Sequence, residues 1–107
     1  MDLRASRTLG LDAYMDRYKL DAVLFPGWTR QSSGIPAKAG YPSVLVPAGI
    51  ISDEGQKDAP EYPTGATFTG RAWSEPTLLR IAYAFEQATK ARRVPPGVPP
   101  LETACVR

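Results

Sequence analysis

The sequence predicts an α/β fold, part of a mixed, mostly parallel sheet with flanking helices. Three observations predict it. Residues 22–25 and 43–46 are almost wholly apolar rather than alternating, the mark of strands covered on both faces. Sixteen residues, 27–42, separate them, enough for a parallel crossover connection. The stretch "SEPTLLRIAYAFEQATKARR", 74–93, has the apolar period of a long helix.

Taken in order, residues 2–19 read as a helix in which Leu11, Met15 and Tyr18 share a face. Gly10 costs about 1 kcal/mol relative to alanine in a helix, so a break is expected there. "DAVLFP", 21–26, is a short strand ended by Pro26-Gly27. "GWTRQSSG" then reads as a loop, followed by a short helical turn over 35–40. The strand 43–47 is fenced by Pro42 and Pro47. Residues 52–63 are polar, turn-rich and aperiodic, hence a surface loop. "TGATFTG", 64–70, is a third strand in which Ala66 and Phe68 alternate with threonines.

The helix 74–93 has Ser74 at its N-cap, Glu75 at the positive end of its dipole and Pro76 in the first turn. Lys90, Arg92 and Arg93 sit at the negative end, and "VPPGVPP", 94–100, forbids continuation. On a helical wheel Leu78, Ile81, Ala82, Phe85 and Ala88 form one face, which Leu79 and Tyr83 widen past half the circumference. Glu86 falls inside that arc and needs a partner or a path to the rim. The chain therefore divides into 1–93 and a Pro-rich extended tail, 94–107, whose last seven residues are expected to fray.

Totals exclude several classes. At 107 residues the chain is one domain or part of one. A net charge of +2 is too small to imply nucleic acid or an anionic membrane surface. No apolar run approaches the ~20 residues of a membrane span, and the N-terminus lacks a signal-peptide h-region. Cys105 is alone, so no internal disulfide forms, and the cytoplasm is the default compartment. Three short strands cannot use so much apolar helix surface. The core is expected to be incomplete.

The residues also carry a resemblance. "LDAVLFPG" (20–27), "IPAKAGYPSVLVPAG" (35–49) and "TGATFTGRAWSEPTLLRIAYAFEQATKARRVPP" (64–96), in that order, resemble the C-terminal end of amidase signature enzymes. Pro36 departs from the pattern, standing where relatives tend to have a helix former, and the loop 52–63 carries no family motif. The resemblance implies a large α/β domain with a mixed central sheet, of which this chain is an incomplete part. It implies hydrolysis of amide C–N bonds by a Ser-Ser-Lys triad in a Gly/Ser-rich region N-terminal to this segment. Catalytic residues are accordingly expected to be absent here, with no cofactor and no metal.

Local chemistry agrees with that expectation. "QSSGIPAK" offers Ser32, Ser33 and Lys38, but the order and glycine context are wrong for the family's triad. With no histidine, a Ser-His-Asp or Cys-His arrangement is impossible. Asp53, Glu54, Asp58 and Glu61 lack the ligand spacing of a calcium loop. Lys90, Arg92 and Arg93 are accounted for by the helix dipole. The remaining candidates are substrate-pocket residues: Trp28, Gln31 and Ser32, in the loop at the carboxyl end of the first strand, where open α/β sheets bind ligands. The partner implied is a small-molecule amide, bound once the rest of the domain is present. The alternative is a non-catalytic, stand-alone α/β protein that self-associates or binds a partner through uncovered apolar surface.

Overall fold

The structure, a computed structural model, describes residues 3–27, 29–52, 60–94 and 97–99. The elements run α1 (Leu3–Ser6), a π-helical stretch (Arg7–Leu11), α2 (Asp12–Tyr18), β1 (Val23–Pro26), α3 (Arg30–Ala39), β2 (Ser43–Ser52), β3 (Glu61–Thr69) and α4 (Glu75–Thr89).

The N-terminal helix is interrupted where the sequence places its glycine. Gly10 has φ −104° and ψ −105°, outside the helical region, and a Cβ there would stand 2.8 Å from the Ala5 carbonyl oxygen. The helix is therefore kinked at Gly10 rather than continuous through it. Leu11 and Met15 are buried, whereas Tyr18 is 54% exposed and stacks at a tilt on Tyr14. Lys19, left-handed at φ 52°, ends α2.

The sheet corrects the expected topology. Its order is β1-β3-β2, and both pairings are antiparallel, so "mostly parallel" does not hold. β1 and β2 do run in the same sense with α3 crossing between them, as their spacing suggested. They never touch, because β3 folds back from β2 as a hairpin and inserts between them. β2 is longer than the fenced 43–47: it continues past Pro47 through a bulge at Ala48 to Ser52, which pairs with Glu61. The expected loop 52–63 is thereby reduced, and the third strand begins at Glu61 rather than residue 64. Prolines survive here because β2 is an edge strand among the described residues, and Pro63 lies beyond the reach of β1.

The helix expected over 35–40 is in fact Arg30–Ala39. Thr29 caps it: its hydroxyl accepts from the Ser32 N–H at 3.1 Å, while Ser32 Oγ accepts from the Thr29 N–H at 2.9 Å. That reciprocal pair satisfies two donors that a helix start otherwise leaves orphaned. Pro36 sits inside the helix, and Gly40 at φ 66° closes it with N–H bonds back to Pro36 and Ala37. α4 stops at Thr89, four residues before the expected end, because Lys90 turns left-handed and donates its N–H to Glu86. Ser74 stands at the N-cap, but its hydroxyl donates to the Arg71 carbonyl at 2.7 Å instead of capping the helix.

The core lies between α4 and one sheet face. Val46, Ala66, Phe68, Leu78 and Ala82 are buried there, with Ala22, Val44, Ile81 and Phe85 packed around them. Phe68 and Phe85 meet edge to face, centroids 5.7 Å apart. Cover is partial. Leu24, Leu45, Leu79 and Tyr83 are 54, 53, 62 and 66% exposed. Two-faced burial of the apolar strands is therefore not met by the described residues. The wide apolar arc of α4 is half used, and Glu86 reaches the rim, where Gln87 donates to it at 3.1 Å.

This partition predicts unequal costs for two adjacent leucines. Leu78→Ala should destabilise by about 2–5 kcal/mol, as expected for a filled core site. Leu79→Ala should stay within about 0.5 kcal/mol. Denaturant unfolding of both variants measures the difference; equal losses would mean that α4 is covered on both sides.

Candidate functional site

An open cleft of about 1090 Å³ lies at the end of the sheet where β1 finishes. Leu24, Pro26, Leu45, Ile51, Tyr62 and Phe85 are among its walls, with Gly27 and Thr29 at the β1 side. Its surface is largely carbon, so it suits an apolar group far better than an ion. A smaller hollow of about 310 Å³ lies between α3 and β2, bounded by Ser32, Ser33, Tyr41, Ser43, Leu45 and Thr67. Most of these carry hydroxyls.

The three sequence-derived pocket residues fall differently. Trp28 lies outside the described residues, although Gly27 and Thr29 on either side of it both line the large cleft. Gln31 is exposed on the first turn of α3. Ser32 is 2% exposed, and its hydroxyl also donates to the Thr29 carbonyl at 2.8 Å. That oxygen is thus occupied in both directions by the helix cap. Ser33 Oγ likewise donates to the Thr29 carbonyl, at 3.4 Å, turning back toward the cap rather than along α3 to Lys38.

Among the described residues no group of three or more His, Cys, Asp or Glu could hold a metal ion. Asp53, Glu54 and Asp58 lie outside them, as do Cys105 and most of the proline-rich tail. Lys90 donates to Gln87 Oε1 at 3.0 Å. Among the described residues no helix is long and apolar enough to cross a membrane.

One cluster had no sequence signal. Tyr41, just after α3, donates its phenol to Asp12 Oδ2 at 2.8 Å. Arg71, in the turn between β3 and α4, pairs with Asp16 at 2.6 Å and approaches Asp12 at 3.7 Å. Arg7 lies over the Tyr41 ring, 5.3 Å from its centroid, and its Nε donates to the Ala39 carbonyl. The contacts span 29 and 55 positions, which no local spacing could disclose. Burial, then the Asp12 hydrogen bond and charge, raise the Tyr41 pKa above 10.0, while Arg7 and Arg71 pull it back. The cluster clamps the N-terminal helix onto the sheet. Beside it, Trp73 is 89% exposed at φ 64°, and with Arg7, Tyr41 and Glu75 it borders a third hollow of about 390 Å³.

This arrangement has counterparts among known proteins. The peptide amidase of Stenotrophomonas maltophilia superposes with a TM-score of 0.68 and 39% identity, over 87% of this chain and 20% of that one. A probable amidase of Arabidopsis thaliana is 40% identical over 86 residues, 80% of this chain and 15% of the relative. The chain belongs to the amidase signature family. A putative amidase of Arthroderma benhamiae is also similar, 40% identical over 91 residues, 78% of this chain and 15% of that protein. No family model matches the chain. The chain spans about 15% of the length of these two curated amidases.

The clamp predicts an alkaline sensitivity. A raised folded-state pKa means that the stability from Tyr41 is complete below the unfolded value, about 10, and is lost as pH rises through the folded one. Between about pH 9 and pH 11 the denaturation midpoint should fall more steeply for the parent than for Tyr41→Phe. Parallel profiles would remove Tyr41 from the clamp.

Proposed function

We propose that this chain is the C-terminal part of an amidase, a hydrolase of amide C–N bonds, supplying sheet strands and one wall of the substrate pocket. The observation that carries this reading is the match to a solved peptide amidase: 39% identity over 87% of this chain, against only 20% of the amidase. So large a share of one chain, aligned to so small a share of the other, is what a segment of a larger domain gives.

The uncovered leucines support it. Leu24 and Leu45 lie on strands whose composition demands cover on both faces, and neither is covered by the described residues. In this reading the rest of the domain, with its nucleophile and lysine, packs against them. Trp28, just before α3, and Gln31, on its first turn, are then the candidate contacts for the amide substrate, and the fully bonded Ser32 fixes the start of the helix. The segment assignment covers residues 1–93, with 94–107 an extended tail. A cytoplasmic location belongs to the same proposal, resting on the lone Cys105.

The chain by itself should not turn over amides, because the hydroxyls of Ser32 and Ser33 both donate back to the Thr29 carbonyl and the family's Ser-Ser-Lys triad belongs to a region N-terminal to this segment. Purified chain assayed on simple aliphatic and aryl amides should match a protein-free blank. Turnover above that blank, abolished in Ser33→Ala, would place a nucleophile in this segment and overturn the reading.

A further inference from the structure

The open apolar cleft and the start of the proline-rich tail lie at one end of the molecule. α4 follows β3 after a short turn and packs on β2 and β3, so it runs back along the sheet in the sense of β1 and β2. Its C-terminal half arrives at the cleft, where Phe85 forms a wall beside Leu24, Leu45, Ile51 and Tyr62. Thr89 ends the helix four residues later, about 6 Å further along. Lys90, left-handed at φ 47°, then turns the chain off the helix axis. The tail leaves from the mouth of the cleft.

The first eight residues of that tail, Val94 to Leu101, carry no charge and include Pro95, Pro96, Pro99 and Pro100. Prolines lack an N–H, so this run cannot serve as a paired strand. It suits the extended polyproline helix, which needs no partner for its backbone and docks into grooves lined by aromatic rings. The cleft supplies two such rings, Tyr62 and Phe85, among walls that are largely carbon. Lengths agree as well. Polyproline advances ~3.1 Å per residue, so the run spans about 25 Å. The β2 wall of the cleft, from Leu45 to Ile51, is about 20 Å long. Gly97 at φ 81°, a conformation that glycine adopts without strain, gives the run a joint between its two proline pairs. Val94 and Val98 are 69 and 54% exposed and neither is a wall of the cleft, so both apolar surfaces stand open in this structure.

We infer that the run Val94–Leu101 closes back over the cleft as a strap, laying its prolines on the Tyr62 and Phe85 rings. The occupant of the cleft is thus the chain's own tail. Val98 and Leu101 gain burial there, and the stiffness of the prolines lowers the entropy lost on closing. Closed, the strap shields the apolar walls from other chains. This holds apart from the amidase reading, because it concerns the chain before any other protein reaches the cleft.

The test uses the full chain with a nitroxide on Cys105, its single cysteine, four residues beyond the run. Amide signals of Leu24, Ile51 and Tyr62 should be strongly attenuated relative to the chain with reduced nitroxide. Those of Asp16 and Arg71, an ion pair at the opposite end of α4, should keep their intensity. Val98→Asp combined with Leu101→Asp puts charge into the apolar run and should cut the closed population at least about tenfold, restoring the three signals. Neither side chain belongs to the core, so the melting temperature of the variant should match the parent's. Attenuation that is absent, confined to the last turn of α4, or unchanged in the variant would overturn the strap. A mixture of nitroxide-bearing chain with isotope-labelled, nitroxide-free chain decides the remaining case: attenuation there would place the tail in the cleft of a second copy and equally overturn it.

Discussion

Everything in this molecule hangs on β3 lying between β1 and β2. Two strands that run the same way are held apart and joined by a third that pairs with each, and its two faces are chemically distinct. Ala66 and Phe68 point toward α4 and form the dry core. Thr67 and Thr69 point the other way, toward α3, and are buried. Their hydroxyls are satisfied locally, Thr67 donating to the Gly27 carbonyl at 3.2 Å and Thr69 bonding Ser43 Oγ at 2.9 Å. Alternation along one strand thus decides which helix lies on which side. A residue slip in β3 would exchange phenylalanine for threonine across the sheet and leave both helices on the wrong surface.

The helices, however, are offset. α4 packs on β2 and β3, and α3 on β1 and β3. Diagonal corners stay open as a result: Leu24 beside α4, and Leu45 beside α3. A sealed three-layer domain has its helices spread over every strand, and this chain has one helix too few on each side among the described residues. The same shortage explains why Leu79 and Tyr83, on the far side of α4, face solvent. Incomplete cover is therefore a property of the layout, set by how many helices lie on the sheet, and no repacking of these side chains would remove it.

The elements dictated by local rules were legible from the sequence, and those dictated by distant partners were not. Gly10 announced the kink, Pro76 the start of α4, and the Ala66/Phe68 alternation the third strand. The α3 start was missed although "TRQS" carries a capping-box pattern, because serine replaces the usual glutamate at the third position and the stretch has no apolar run to flag it. The parallel expectation failed for a different reason. Uniformly apolar strands signal burial on both faces, which is compatible with any strand direction; the insertion of β3 is set by a hairpin whose connecting residues looked merely irregular. Of the pocket candidates, Ser32 illustrates the ambiguity most clearly. A serine at the carboxyl end of a strand reads as a ligand contact, yet its burial and both of its hydrogen bonds belong to a helix cap.

The clamp around Tyr41 shows how little such polar contacts can substitute for missing apolar cover. Arg71, Asp12 and Asp16 are all partly exposed, with side-chain exposures of 38, 29 and 71%. Pairs of that kind contribute about 0–1 kcal/mol each. They fix the angle at which the N-terminal helix meets the sheet without adding much to its hold. The firm attachment is the burial of Leu11 and Met15 beneath it and of Leu78 and Ala82 beneath α4. Those few side chains orient the strands, but two half-exposed leucines in the sheet forgo roughly half of the 1.5–3 kcal/mol each would gain by full burial. A surface that stands to gain that much from cover supports the proposal that this chain packs against the rest of an amidase domain.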